Sequence, residues 1–89
     1  MRSRIEVSYS RKFLRQISRL PSRIVDLAGN KEEIFKESLF DSSLETHKLH
    51  GKEKDAWAFS VTKSYRIKFI FLKDGGALFL EIVTHDIYR

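Results

Sequence analysis

Apolar positions recur in the first half of the chain at three- and four-residue intervals and in the second half at every other residue. Phe13, Leu14, Ile17 and Leu20 share one face of a predicted helix, with Arg11, Lys12, Arg15 and Arg19 falling mostly on the other. Ser10 is placed to cap its start, because a serine hydroxyl accepts one of the first unpaired backbone N–H groups. Pro21 predicts the first turn of a second helix, where its missing N–H costs nothing. That helix is expected to bury Ile24, Leu27, Ala28, Ile34 and Phe35 and to end near Leu39 or Phe40, with Gly29 weakening it by about 1 kcal/mol against alanine. The pair forms an antiparallel hairpin, and Asp41-Ser42-Ser43 marks a loop.

Ile5 to Tyr9 reads as a short first strand. Trp57, Phe59 and Val61 alternate with Ala58, Ser60 and Thr62, and Tyr65, Ile67, Phe69 and Phe71 with Arg66 and Lys68. Leu78, Leu80 and Ile82 alternate with Phe79, Glu81 and Val83, and Asp74-Gly75-Gly76 is a hairpin turn. These elements predict an α+β fold with two N-terminal helices packed on one face of a four-stranded, mainly antiparallel sheet.

Register then predicts a site, because a one-residue slip sends every side chain to the opposite face. Matching Tyr65, Ile67 and Phe69 with Leu78, Leu80 and Ile82 requires a two- or four-residue loop and groups Arg66, Lys68, Glu81, Val83 and His85 on the other face. Matching Trp57, Phe59 and Val61 with Tyr65, Ile67 and Phe69 requires an odd loop and brings Ser60 to the same face as Arg66. Ser60, Arg66, Lys68 and His85 are thus expected together, away from the helices.

The chain's 89 residues make a single domain, 1–89, with a thin core. It has no cysteine, which excludes a disulfide scaffold, a thiolate metal site and a cysteine nucleophile. The longest apolar run is Phe69 to Leu72, far below the roughly 18 residues needed to span a bilayer. A soluble cytoplasmic protein with no membrane association is expected. The net charge of +5 is concentrated at the N-terminus. Residues 1–30 carry seven bases and two acids, whereas the remainder balances at ten each. That excess reads either as a solvated helix face or as a surface facing a polyanion. Its Arg- and Ser-rich character resembles a transit peptide, but Ile5, Val7 and Tyr9 alternate as a strand does, so it reads as mature structure.

His47, His50 and His85 lack the spacing of a zinc protease site, and neither a phosphate loop nor a nucleophile elbow is present. Metal-free RNA cleavage suits the inventory better, since the substrate's 2′-hydroxyl is its own nucleophile. The protein then supplies a base, an acid and cationic donors, roles open to histidine and arginine. The alternative is that Arg66 and Lys68 are solvated strand residues and His85 a polar strand end.

Thr46-His47-Lys48-Leu49-His50-Gly51-Lys52, Trp57-Ala58-Phe59-Ser60-Val61, Tyr65-Arg66-Ile67 and Thr84-His85-Asp86-Ile87-Tyr88 together resemble the RelE/ParE superfamily of bacterial type II toxins, of the RelE, StbE and YafQ kind and often labelled plasmid stabilisation proteins. Phe13-Leu14 and Leu20-Pro21 extend the likeness over nearly the whole chain. The resemblance implies ribosome-dependent cleavage of messenger RNA without a metal or small-molecule cofactor, restrained by a cognate antitoxin with an acidic segment that orders on binding. It assigns charge stabilisation at the scissile phosphate to Arg66, proton transfer to His85 and His47, and a further catalytic place to Tyr88. It implies RNA contact by Lys48, Lys52 and Lys54, and His50, Ser60 and Lys68 are expected to bind RNA beside them. Ser60 and Ser64 stand where the YafQ-like branch has a histidine and an aspartate, and Asp55-Ala56 replaces a Gly-Tyr pair before Trp57. These departures leave open a non-toxic binding module that keeps the fold without the nuclease. A gyrase inhibitor of the ParE branch is the other alternative, although that branch does not use Arg66, His47 and His85 for RNA chemistry.

Overall fold

The computed structural model describes residues 4–51 and 55–84. In chain order these form β1 (Val7–Tyr9), α1 (Arg11–Ser18), α2 (Ser22–Glu37), a 3-10 turn (Ser42–Leu44), β2 (His47–Lys48), β3 (Ala56–Ser60), β4 (Tyr65–Phe71) and β5 (Ala77–Thr84). The expected α+β arrangement is present, with the sheet one strand larger. Its order is β1-β5-β4-β3-β2, parallel between β1 and β5 and antiparallel elsewhere. The added strand, β2, is only two residues long, too short for alternation to announce it.

Ser10 caps α1 as expected. Its Oγ accepts from the Phe13 N–H at 3.0 Å and also donates to the Leu80 carbonyl at 2.7 Å, so one hydroxyl ties the start of the helix to the sheet. Because β1 ends at Tyr9, part of the β5 edge needs another partner. Gln16 Oε1 accepts from the Ile82 N–H at 2.8 Å there. Pro21 is the residue before α2 rather than part of its first turn, and its carbonyl accepts from Ile24 and Val25. The helix stops at Glu37, short of the expected Leu39. Beyond it Asp41 caps the 3-10 turn, its Oδ1 accepting from the Ser43 N–H and hydroxyl, and these bonds lower its carboxyl pKa.

The core lies between the helices and one face of the sheet, around four rings. Phe35 of α2 meets Phe59, Phe69 and Phe79 from three strands, with centroids 4.9, 4.9 and 5.4 Å away, and all four are fully buried. Burial of one such ring contributes about 1.5–3 kcal/mol, so this cluster anchors α2 to the sheet. Leu14, expected in the core, is instead 52% exposed.

A register irregularity in β5 corrects a second expectation. Tyr65 to Lys68 pair with Thr84 to Glu81, but Phe69 pairs with Phe79, skipping Leu80. On the Lys68 side the parity is the expected one. Towards the hairpin it is reversed, so Phe79 and Ala77, rather than Leu80 and Leu78, reach the core. The connecting loop, Leu72 to Gly76, accordingly has odd length. Gly75 supplies its positive φ of 93°, and Asp74 Oδ1 accepts from the Gly76 N–H at 2.8 Å. An extra residue on one strand lets two bulky runs fill one core without a steric clash.

Candidate functional site

Two cross-strand rows build the face of the sheet turned away from the helices. Ser60, Arg66 and Val83 are in register in one row, and His47, Ala58, Lys68 and Glu81 in the next. The odd β3–β4 connection expected from the pattern is what joins Ser60 to Arg66. Thr62 holds that turn, its Oγ1 accepting from the Ser64 and Tyr65 N–H groups. Ser64 thus belongs to the turn and not to a strand.

The buried Ser60 hydroxyl accepts from Arg66 Nη1 at 3.3 Å and donates to Glu45 Oε1 at 3.1 Å. Glu45 was not singled out by the sequence pattern. It is the only non-glycine residue of positive φ among the described residues (φ 49°, ψ 43°), and it ends the 3-10 turn. That left-handed conformation is uncommon for a residue with a β-carbon, and it reverses the chain so that Glu45 meets Ser60 while His47 enters β2. The Glu45 carbonyl lies 2.9 Å from His47 Nδ1. A carbonyl can only accept, so Nδ1 carries the hydrogen, which in the neutral form of the ring leaves Nε2 as the proton acceptor. The clue available in the sequence was an acid two residues after Asp41-Ser42-Ser43 and two residues before a histidine.

Lys68 takes a different place from that of a mobile RNA contact. Its side chain is 8% exposed and Nζ lies 2.9 Å from Glu81 Oε2, while Lys12 of α1 reaches Glu81 Oε1 at 2.8 Å. Burial works to raise the Glu81 carboxyl, but the hydrogen bonds and charges of Lys12 and Lys68 outweigh it and hold the group below its usual range. The triad links α1 to the sheet face beneath the site.

His47 is exposed at the edge of the site. Lys48, next in the chain, projects to the opposite face in register with Trp57, and His50 is exposed beyond β2. Lys52, Lys54, His85 and Tyr88 lie outside the described residues. Among the described residues no group of three or more His, Cys, Asp or Glu side chains is placed to hold a metal ion, and no helix is long and apolar enough to cross a membrane.

A guanidinium and a carboxylate thus meet at one hydroxyl, with an exposed imidazole in the adjacent row, the first able to hold a phosphate through paired N–H donors and the others able to accept a proton. No family model matches the sequence, and no curated protein matches it. Solved structures do match the fold. The toxin–antitoxin complex RelBE2 from Mycobacterium tuberculosis aligns with a TM-score of 0.78 at 11% identity, over 96% of this chain and 95% of the other. The YoeB/ParE toxin from Agrobacterium tumefaciens gives 0.75 at 13%, over 91% and 99%. The E. coli DinJ-YafQ toxin–antitoxin complex gives 0.73 at 15%, over 94% and 96%. The chain has the RelE/ParE-type toxin fold. Within that fold, Arg66, Ser60 and Glu45 are joined across β4, β3 and the turn leading into β2.

Proposed function

We propose that this chain is a RelE/ParE-superfamily toxin of a type II toxin–antitoxin system and a ribosome-dependent mRNA endoribonuclease. The observation that carries the reading is the Arg66–Ser60–Glu45 hydrogen-bonded line on the sheet face turned away from the helices, beside His47. Arg66 holds the scissile phosphate and neutralises charge as the 2′-oxygen adds to phosphorus. Glu45, with His47 beside it, accepts the 2′ proton. The P–O5′ bond breaks, and the departing 5′-oxygen takes a proton from His85, which follows Thr84, the last residue of β5, in the chain. The products are a 2′,3′-cyclic phosphate and a 5′-hydroxyl, reached without a cofactor because the nucleophile belongs to the substrate. Tyr88 is assigned a further catalytic place, and the basic residues Lys48, His50, Lys52 and Lys54 are assigned to holding the RNA.

The partner proposed to restrain it is an antitoxin with an acidic segment that orders on binding, drawn by the N-terminal basic excess. Support comes from the fold shared with toxins solved inside toxin–antitoxin complexes. Transcript ends mapped after brief induction test the reading. New 5′ ends are expected with the parent chain and not with Arg66→Ala. Intact transcripts accompanied by gyrase–DNA cleavage complexes would overturn it.

A further inference from the structure

On the helix-facing side, at the edge of the sheet, aromatic rings continue outward from the core to the surface. Phe69 is buried, Phe71 is 40% exposed, and Phe40 is 66% exposed, the highest value among the large apolar side chains of the described residues. Trp57 lies between the last two, edge-to-face with Phe71 at 5.6 Å and with Phe40 at 6.0 Å. Beside them opens a cavity of about 310 Å³ lined by Lys48, Asp55, Trp57, Ile70 and Phe71. Of this lining, the mechanism above uses only Lys48, as an RNA contact, and gives Asp55, Trp57, Ile70 and Phe71 no part. Asp55 stands where the resemblance led one to expect a glycine–tyrosine pair, so the charge at its rim is this chain's own.

The wall and the rim ask for different chemistry. Indole and phenyl surfaces offer stacking to a flat ring, and base–aromatic stacking is tolerant of sequence. Lys48, in register with Trp57, presents three donors and a positive charge suited to a phosphate. The Asp55 carboxylate only accepts hydrogen bonds, and uracil's one N–H on that edge lies between two carbonyl oxygens that repel a carboxylate, so the site favours a ring bearing an exocyclic amine. An apolar peptide side chain would satisfy the wall but neither charge. A nucleotide satisfies all three.

We propose that this cavity holds one base of single-stranded RNA, stacked against Trp57 with Lys48 at its phosphate, and that Asp55 selects adenine, cytosine or guanine over uracil. The occupant is a nucleotide flanking the cleaved one, so the proposal rests on the RNA reading above. His47 and Lys48 are consecutive on the edge strand and project to opposite faces, so a strand crossing that edge meets Arg66 on one side and Trp57 on the other. Two strand spacings, about 10 Å, separate β4 from β2.

Trp57 is the chain's single tryptophan, which makes its fluorescence a direct reporter. The test titrates full-length Arg66→Ala protein, without ribosomes, with short oligo(A), oligo(C) and oligo(U) RNA. Saturable quenching is expected, at least about fivefold tighter for oligo(A) and oligo(C) than for oligo(U). Asp55→Ala should remove that preference, and Lys48→Ala should weaken all three RNAs while lowering the salt slope by about one. Both residues are on the rim, so their loss leaves the core intact. Absence of quenching, equal affinity for oligo(U), or quenching indifferent to both substitutions would overturn the base site. Transcript cleavage by the parent chain without selective quenching would sink this inference alone. Selective quenching without cleavage would leave the cavity standing and sink the nuclease.

Discussion

Ser60 and Arg66 face each other across β3 and β4, and the buried hydroxyl of one is the hydrogen-bond acceptor for the guanidinium of the other at 3.3 Å. The serine also donates to Glu45, so a single oxygen sets the position of a cation and an anion that act on the same substrate in the proposed reaction. Orientation is the physical point. A guanidinium whose Nη1 is held has fewer rotamers to lose when its other donors meet a phosphate.

Cleavage should therefore fall in a graded way across this line. Arg66→Ala is expected to lower the rate by about 10²–10³-fold, as loss of a transition-state charge donor does. Glu45→Gln, which keeps shape and removes basicity, should cost about 10²-fold. Ser60→Ala should cost only about tenfold, the value of one lost orienting hydrogen bond. Rates on ribosome-bound transcript, with folding checked by circular dichroism, give the comparison, and a larger loss for Ser60→Ala than for Arg66→Ala would contradict the assigned roles.

Glu81 should govern acid stability. Its carboxyl is held below the usual glutamate range by Lys12 and Lys68 against the opposing effect of burial. The sign follows directly. The stabilisation is complete above the unfolded-state value and is lost as pH falls through the lower folded-state value. Glu81→Gln leaves Lys68 buried beside a neutral amide and should destabilise the protein by about 2 kcal/mol, less than a fully buried pair because Glu81 retains 20% side-chain exposure. Urea melts from neutral to acid pH should show the two proteins converging as pH drops.

Tyr9 should govern the alkaline limit. Its phenol is pushed up to about 12, first by burial and then by donating to the Glu32 carboxylate. A raised tyrosine value favours the neutral folded form, so this contribution is intact below the ordinary value near 10 and declines between about 10 and 12. Ultraviolet titration of tyrosinate should show one phenol ionising late, and Tyr9→Phe should remove that step.

Phe35 and Phe40 should respond very unequally to truncation. Phe35→Ala empties the centre of the four-ring cluster and is expected to cost about 3–5 kcal/mol. Phe40→Ala removes a mostly exposed ring and should cost under about 1 kcal/mol. Thermal melts of the two variants provide the check, and comparable losses would mean that the core is organised otherwise.

Much of this fold was legible because alternation and helical spacing are local. Phe13, Ile24, Ala28 and Phe35 were placed in the core by period alone, and Ser10 was recognisable as a cap from its chemistry. The meeting of Ser60 with Arg66 was legible too, since strand periodicity and an odd loop leave only that parity. Leu14 misled the pattern because a helix on a thin core buries a narrower stripe than its apolar residues mark out.

Other features were decided by packing. The skipped pairing at Leu80 arises where two bulky runs must share one core, and no residue of β5 announces it. Lys68 reads as a solvated strand cation until Lys12 and Glu81, distant in sequence, converge on its side of the sheet. Glu45 joins the site only because the turn before β2 adopts a left-handed backbone, a conformation held by long-range contacts and not by its own preference. Periodicity along the chain thus determined which residues share a face. Which of those residues touch was decided by the closing of the sheet, because contact depends on strands separated in sequence and brought together only when the core packs.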